Sequence, residues 1–160
     1  MRISLHTVGK LKSGPESELT KRYLDRFKKS GAGIGLELAK VLEISESRAG
    51  NAKERKADEA AQLAKALPNN CKLILLDEGG DNITSEAFSS MLANLRDNGE
   101  RDVVFAIGGA DGHDYTSKEM AFRSLSFGKM TWPHQMARFM LAEQLYRSVT
   151  ILSGHPYHRS

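Results

Sequence analysis

The chain has 160 residues, 40% of them hydrophobic and 27% charged, which excludes a disordered or fibrous polymer and fits one domain spanning 1–160. Lys and Arg outnumber Asp and Glu by 23 to 20, a net charge of +3 that permits an anionic partner without demanding one. A single cysteine, Cys71, rules out an internal disulfide and reads as a structural residue of a reducing compartment. The N-terminus has no apolar signal core and no run reaches about 18 apolar residues, so a cytoplasmic protein with no membrane span is expected.

Ile3, Leu5 and Thr7 alternate with Ser4 and His6, which predicts a strand. Gly14-Pro15 breaks the chain, and Leu19, Tyr23 and Phe27 then recur at helical spacing. Lys21, Arg22, Arg26, Lys28 and Lys29 crowd the rest of that helix, either as a solvated face or as a phosphate-contacting patch. Gly31 to Gly35 reads as a flexible connection, and Leu36 to Ile44 as a second strand. The polar stretch Ser45 to Asn51, with Arg48, reads as a loop, and Asn51 to Leu67 as an Ala-, Lys- and Glu-rich helix stopped by Pro68.

Leu73 to Leu76 is a continuous apolar run ending in Asp77-Glu78-Gly79-Gly80, as in a strand covered on both faces. Thr84 or Ser85 caps a helix to about Asn98, with Phe88, Met91, Leu92 and Leu95 as its core face. Val103 to Ile107 is the next buried strand, followed by Gly108-Gly109 and a short helix near Ser117 to Phe122. Leu125 to Met130 reads as a last strand. Pro133 opens a helix to about Leu152 that presents Met136, Phe139, Met140 and Leu145. This alternation predicts a three-layer α/β fold with a mostly parallel sheet.

Ligands of open α/β sheets bind beyond the carboxyl ends of the strands. Three such ends carry glycine or turn residues: Leu76 to Gly80, Ile107 to Gly112, and Phe127 to Trp132. Each alone is an ordinary tight turn; together they suggest a shared pocket for a polar, purine-like ligand. No GxGxxG or Walker spacing is present. Glu143 and Arg147 stand four apart on one helix and can pair, as a plain surface pair or as a substrate-orienting face. The C-terminal run His155-Pro156-Tyr157-His158-Arg159 combines imidazoles, a phenol and a guanidinium, which serve proton transfer, base stacking and phosphate binding. His155 and His158 have no third metal ligand nearby, so no metal site is expected.

These pieces resemble the large-subunit ribosomal RNA methyltransferase H family of SPOUT-class enzymes. The resemblance is carried by Ile3 to Lys10, Leu76-Asp77 with Gly79, Ile107-Gly108-Gly109 with Gly112, Trp132 to Arg138, Glu143 to Arg147, and His155 to Arg159. It covers essentially the whole chain, although Ala110-Asp111 stand where many members carry Pro-Glu. It implies a SPOUT fold with a C-terminal trefoil knot, an exception to the rule against threaded chains. It implies a homodimer that transfers a methyl group from S-adenosylmethionine to N3 of a pseudouridine in 23S rRNA of the assembled ribosome. Carried over by position, the cofactor site is Leu76, Gly108, Phe127, Gly128, Lys129, Met130, Thr131 and Trp132. The reacting residues are Tyr157, His158, Arg159, Glu143 and Arg147. Two alternatives stay open: a SPOUT-like enzyme with another RNA target, and a ribosome-binding module without catalysis.

Overall fold

In the computed structural model, which describes residues 1–158, five parallel strands form one sheet. They are β1 (Arg2–Val8), β2 (Glu37–Ile44), β3 (Lys72–Asn82), β4 (Asp102–Ile107) and β5 (Arg123–Ser126), in the order β2-β1-β4-β3-β5. Between them run helices α1 (Pro15–Gly31), α2 (Ala52–Ala66), α3 (Ser85–Asp97) and α4 (Tyr115–Met120), and α5 (His134–Leu152) closes the fold. Asn51, Thr84 and Asp114 supply the N-caps of α2, α3 and α4, each side chain accepting from the backbone N–H three residues on. The segment from Gly31 to Gly35 is no loose linker: α1 runs to Gly31 and a 3₁₀ turn over Ala32–Ile34 follows, closed by Gly35 at φ +75°.

The central strand β4 shows why the sheet has two cores. Val103, Phe105 and Ile107 face one side and pack with Phe27, Leu92, Leu141 and Leu145; Val104 and Ala106 face the other and pack with Leu63 and Leu75. Residues of a strand alternate between faces, so a strand apolar throughout feeds both layers. Helices α1, α3 and α5 cover the first face, α2 and α4 the second.

Three further elements differ from the sequence expectation. The strand starting at Lys72 continues past the glycines to Asn82. The last strand is Arg123–Ser126 and not Leu125 to Met130, because Gly128 at φ +124° turns the chain, with Ser126 Oγ bridging to both its N–H and its carbonyl. In α5 the fully covered positions include Arg138, Leu141, Ala142, Leu145 and Val149, whereas Met136, Phe139 and Met140 are only half-buried. That helix packs against α1 and α3 as well as β4, so no single stripe faces the core.

The two irregular strands meet. Leu125 pairs with Leu76 and again with Asp81, while the four residues between them loop out. A Cβ placed on Gly80 would stand 2.7 Å from the backbone N and C of Leu125. Only glycine lets the two main chains approach so closely. Gly80→Ala is therefore expected to lower stability by about 1–3 kcal/mol, the usual cost of overpacking. Gly79→Ala, whose added carbon meets only the Asp77 side chain at 3.2 Å, should cost less. Urea midpoints that fall equally for both variants would contradict this crossing.

Candidate active site

A parallel sheet brings the carboxyl ends of its strands to one edge, and a cavity lies there. It measures about 670 Å³, within the range of small-molecule sites. One wall is the turn Ile107–His113 after β4. Leu76, Asp77 and Glu78 come from β3, Phe127, Gly128 and Met130 to Pro133 from the segment after β5, and His134 and Ala137 from the start of α5. The glycine turn closes on itself: Gly112 N–H donates to Gly109 O at 3.0 Å, Gly112 has φ +76°, and a Cβ on Gly108 would lie 3.0 Å from the Gly112 carbonyl carbon.

Most charges around the cavity are committed. Burial pushes the Asp77 carboxyl up, but Lys118 Nζ at 2.9 Å and the Gly79 N–H at 3.0 Å outweigh it and hold the group below the usual carboxylate range. Asp111 accepts from Arg55 Nε at 2.7 Å and Nη2 at 3.1 Å, tying the glycine turn to α2. Glu78 accepts from the Thr131 hydroxyl at 3.1 Å. His113 and His134 are both pushed down by burial, which favours their neutral forms.

Of the residues the resemblance assigns to the cofactor, Leu76, Gly108, Phe127, Gly128, Met130, Thr131 and Trp132 line this cavity; Lys129 is not among its lining residues. The residues assigned to reaction lie elsewhere. Glu143 and Arg147 sit on α5 beyond Ala137, and ten residues of helix separate Ala137 from Arg147 by roughly 15 Å along the axis. There the tail folds back on α5.

Glu143 Oε1 is the hub of that second group. It accepts from Arg147 Nε at 2.9 Å and Nη2 at 2.5 Å, and from the Tyr157 hydroxyl at 3.1 Å. The Tyr157 oxygen also lies 3.1 Å from that of Tyr23 on α1. The Tyr157 ring packs edge-on to Tyr146 at 5.0 Å and carries the Arg147 guanidinium 5.0 Å from its centroid. His158 Nδ1 lies 3.3 Å from Arg147 Nη1, and Nε2 lies 2.8 Å from Glu86 Oε1. A guanidinium only donates, so Nδ1 accepts and Nε2 donates to Glu86. Arg159 lies outside the described residues.

Two contributors carried no signal in the sequence, and a third, Arg138, stood there only within the run Trp132 to Arg138, with no role. Arg55 and Lys56 read there as helix-forming surface residues of α2. Arg138 is 2% exposed and donates to Glu43 at 2.9 Å, to Val8 O at 2.8 Å and to Gly9 O, tying the start of α5 to the end of β1. Among the described residues no cluster of three potential ligands could hold a metal ion.

A family profile described as "Predicted SPOUT methyltransferase" matches residues 1–158. The chain belongs to the SPOUT methyltransferase family. Relatives are similar over their full lengths. A Rhizobium leguminosarum bv. trifolii protein named "Ribosomal RNA large subunit methyltransferase H" is 60% identical over 159 residues, 99% of each chain. Proteins of the same name from Rhizobium meliloti and Sinorhizobium medicae are each 59% identical over 160 residues, 100% of each chain. Within this SPOUT chain, then, the glycine-loop cavity and the tail group are two distinct assemblies joined by α5.

The tail group has a pH signature. Burial, with Tyr23 and Glu143 alongside, raises the Tyr157 phenol above its ordinary value. An unfolded tyrosine ionises near pH 10, so the stability from this phenol is complete below about pH 10 and is lost as pH rises further. Wild type should therefore lose stability more steeply above pH 10 than Tyr157→Phe, measured by chemical unfolding. Parallel curves would show that Tyr157 is not seated on Glu143.

Proposed function

We propose that this chain transfers a methyl group from S-adenosylmethionine to N3 of a pseudouridine in 23S rRNA of the assembled ribosome. The observation that carries the reading is the 60% identity, over 99% of both chains, to a relative named for large-subunit ribosomal RNA methylation. The cavity suits the methyl donor. Glycine backbone at Gly108 and Gly128 offers close-approaching polar groups to a purine, while Leu76, Leu125 and Phe127 give apolar walls for its faces. Leu76, Gly108 and the run Phe127, Gly128, Lys129, Met130, Thr131 and Trp132 would hold it. When bound, S-adenosylmethionine supplies an electrophilic methyl group on a sulfonium.

The remaining chemistry belongs to the chain. Pseudouridine N3 is an imide nitrogen that loses its proton on methylation. His158, Tyr157 and Arg147 are the groups that accept that proton, pack on the base and offset the developing negative charge. As seated, His158 has both ring nitrogens engaged, so serving as base requires it to exchange Arg147 or Glu86 for the substrate. Glu143 keeps Arg147 and the phenol of Tyr157 in a fixed relation, which favours alignment over flexibility. The resemblance assigns Arg159 to the same chemistry by its position next to His158 in the sequence.

The tail group stands well away from its own cavity along α5, which supports a homodimer in which a second copy brings the two together. The double pairing of Leu125 with β3 supports a C-terminal trefoil knot, with the segment after β5 threaded past the loop at Asp77 to Gly80. A protein acting on ribosomes would work in the cytoplasm, and no helix of the described residues is long and apolar enough to cross a membrane.

Mass spectrometry of 23S rRNA from cells with and without this protein should show one pseudouridine lighter by a methyl group when it is absent. His158→Ala and Tyr157→Phe should each slow methyl transfer to ribosomes by about 10²-fold or more, in the range of general acid–base contributions. Full activity in both would remove the tail from the chemistry.

RNA binding has its own candidate surface. Lys21, Arg22, Arg26, Lys28 and Lys29 are exposed along α1, and Arg26 lies over the rings of Tyr23 and Tyr146 at 5.4 and 5.6 Å. Arg22→Glu with Arg26→Glu should weaken ribosome binding and flatten its dependence on salt, because fewer phosphate contacts release fewer counterions. An unchanged affinity and slope would exclude this face.

A further inference from the structure

We infer that Lys56 receives the carboxylate of the methyl donor's amino-acid end and so selects ligands that carry that end. This rests on the reading that the cavity takes S-adenosylmethionine. Among the described residues lining the cavity, four side chains can be cationic: Lys56, Lys118, His113 and His134. Lys118 is committed to Asp77 at 2.9 Å, and burial holds both histidines toward their neutral forms. Lys56 makes no ion pair or side-chain hydrogen bond among the described residues, although it is half-buried.

Its acidic neighbours are occupied. Asp111, on the turn that Lys56 faces, is held at both oxygens by Arg55. Glu59, three residues along α2, accepts from the Ser47 N–H at 3.1 Å. A lysine can rest its methylene stem on a wall while its ammonium stays available to a counter-charge. A carboxylate delivered into the cavity supplies that charge.

The geometry of the walls agrees. Lys56 borders both this cavity and the small pocket behind Gly108, Gly112 and His113, which places it at the glycine-turn wall. Glu78 stands at the other wall, where its only side-chain partner among the described residues is the neutral hydroxyl of Thr131. One uncommitted cation and one acid without a cationic partner, on separate walls, suit a zwitterion. The sulfonium and ammonium of the methyl donor would turn toward Glu78 and its carboxylate toward Lys56.

The test measures binding alone. Trp132 is the only tryptophan and lines the cavity, so its fluorescence reports occupancy. S-adenosylmethionine, S-adenosylhomocysteine and 5′-methylthioadenosine, which lacks the amino-acid end, are titrated into wild type, Lys56→Met and Lys56→Arg. Lys56→Met should weaken the first two about tenfold, a charge-assisted hydrogen bond's worth, and leave 5′-methylthioadenosine within about twofold. Lys56→Arg should recover most of the loss.

In wild type, the methyl ester of S-adenosylhomocysteine should bind about as weakly, relative to the free acid, as the acid does to Lys56→Met; this arm needs no variant to fold. Equal losses for all three ligands, or no loss for any, would overturn the role of Lys56 while leaving the cofactor reading intact. Failure of wild type to bind any of the three would overturn that reading, and this inference with it.

Discussion

Leu125 is the point on which the architecture turns. It is bonded to β3 twice, at Leu76 and at Asp81, and the stretch between those partners must bulge away to allow it. Strand pairing sets main chains about 4.8 Å apart, yet at Gly80 the approach is closer than any side chain permits. Ordering a glycine costs conformational entropy, but the crossing that Gly80 allows also aims the next segment of chain. Residues 127–132 leave it in a fixed direction and fold over the ends of β3 and β4, which gives the cavity its third wall. If Leu125 were paired only once, as at an ordinary sheet edge, those residues would be a surface loop with nothing to cover.

Charge is distributed around that cavity with equal economy. Three acids approach it, and each is handled differently: Asp77 by a lysine and a backbone amide, Asp111 by a bidentate arginine, Glu78 by a hydroxyl alone. The first two fix loops, since a carboxylate gripped at both oxygens orients the chain that bears it. Only Glu78 keeps capacity for a cationic ligand. The same division separates Arg55, which is spent on structure, from its neighbour Lys56, which is not.

Much of this layout can be read from residue order, because buried strands and capped helices leave periodic traces. Val103 to Ile107 reads as a buried strand, and Thr84 or Ser85 as a helix start, which the structure sets at Thr84. The glycines after Ile107 also declared themselves as a strand end. What periodicity cannot carry is pairing at long range. Gly79-Gly80 reads as a turn, since nothing local says that Leu125 returns to hold the strand beyond it. Arg55 and Asp111 are 56 residues apart, and an arginine in an amphipathic helix looks like solvent-facing charge until its partner is placed. The separation of tail from cavity was hidden for the same reason: His134 is close in the chain to Glu143 and Tyr157, but the helix carries Glu143, and the tail seated on it, away from His134.

That helix depends on Arg138. A guanidinium at 2% exposure is expensive to bury, and here it is matched by Glu43 and by the carbonyls of Val8 and Gly9. An apolar residue of similar length would avoid the desolvation cost but would leave those two carbonyls at the end of β1 without this donor. With Arg138 in place, the first turns of α5 are locked to the sheet edge beside the cavity. The helix then extends as a rigid arm to Glu143, Arg147 and the tail seated on them. An isolated Glu–Arg pair four residues apart on a helix contributes little. This one is mostly covered, shares its carboxylate with Tyr157, and sits at a distance from the cavity that Arg138 fixes. Its contribution is therefore to place a phenol and an imidazole rather than to stabilise the helix that carries them.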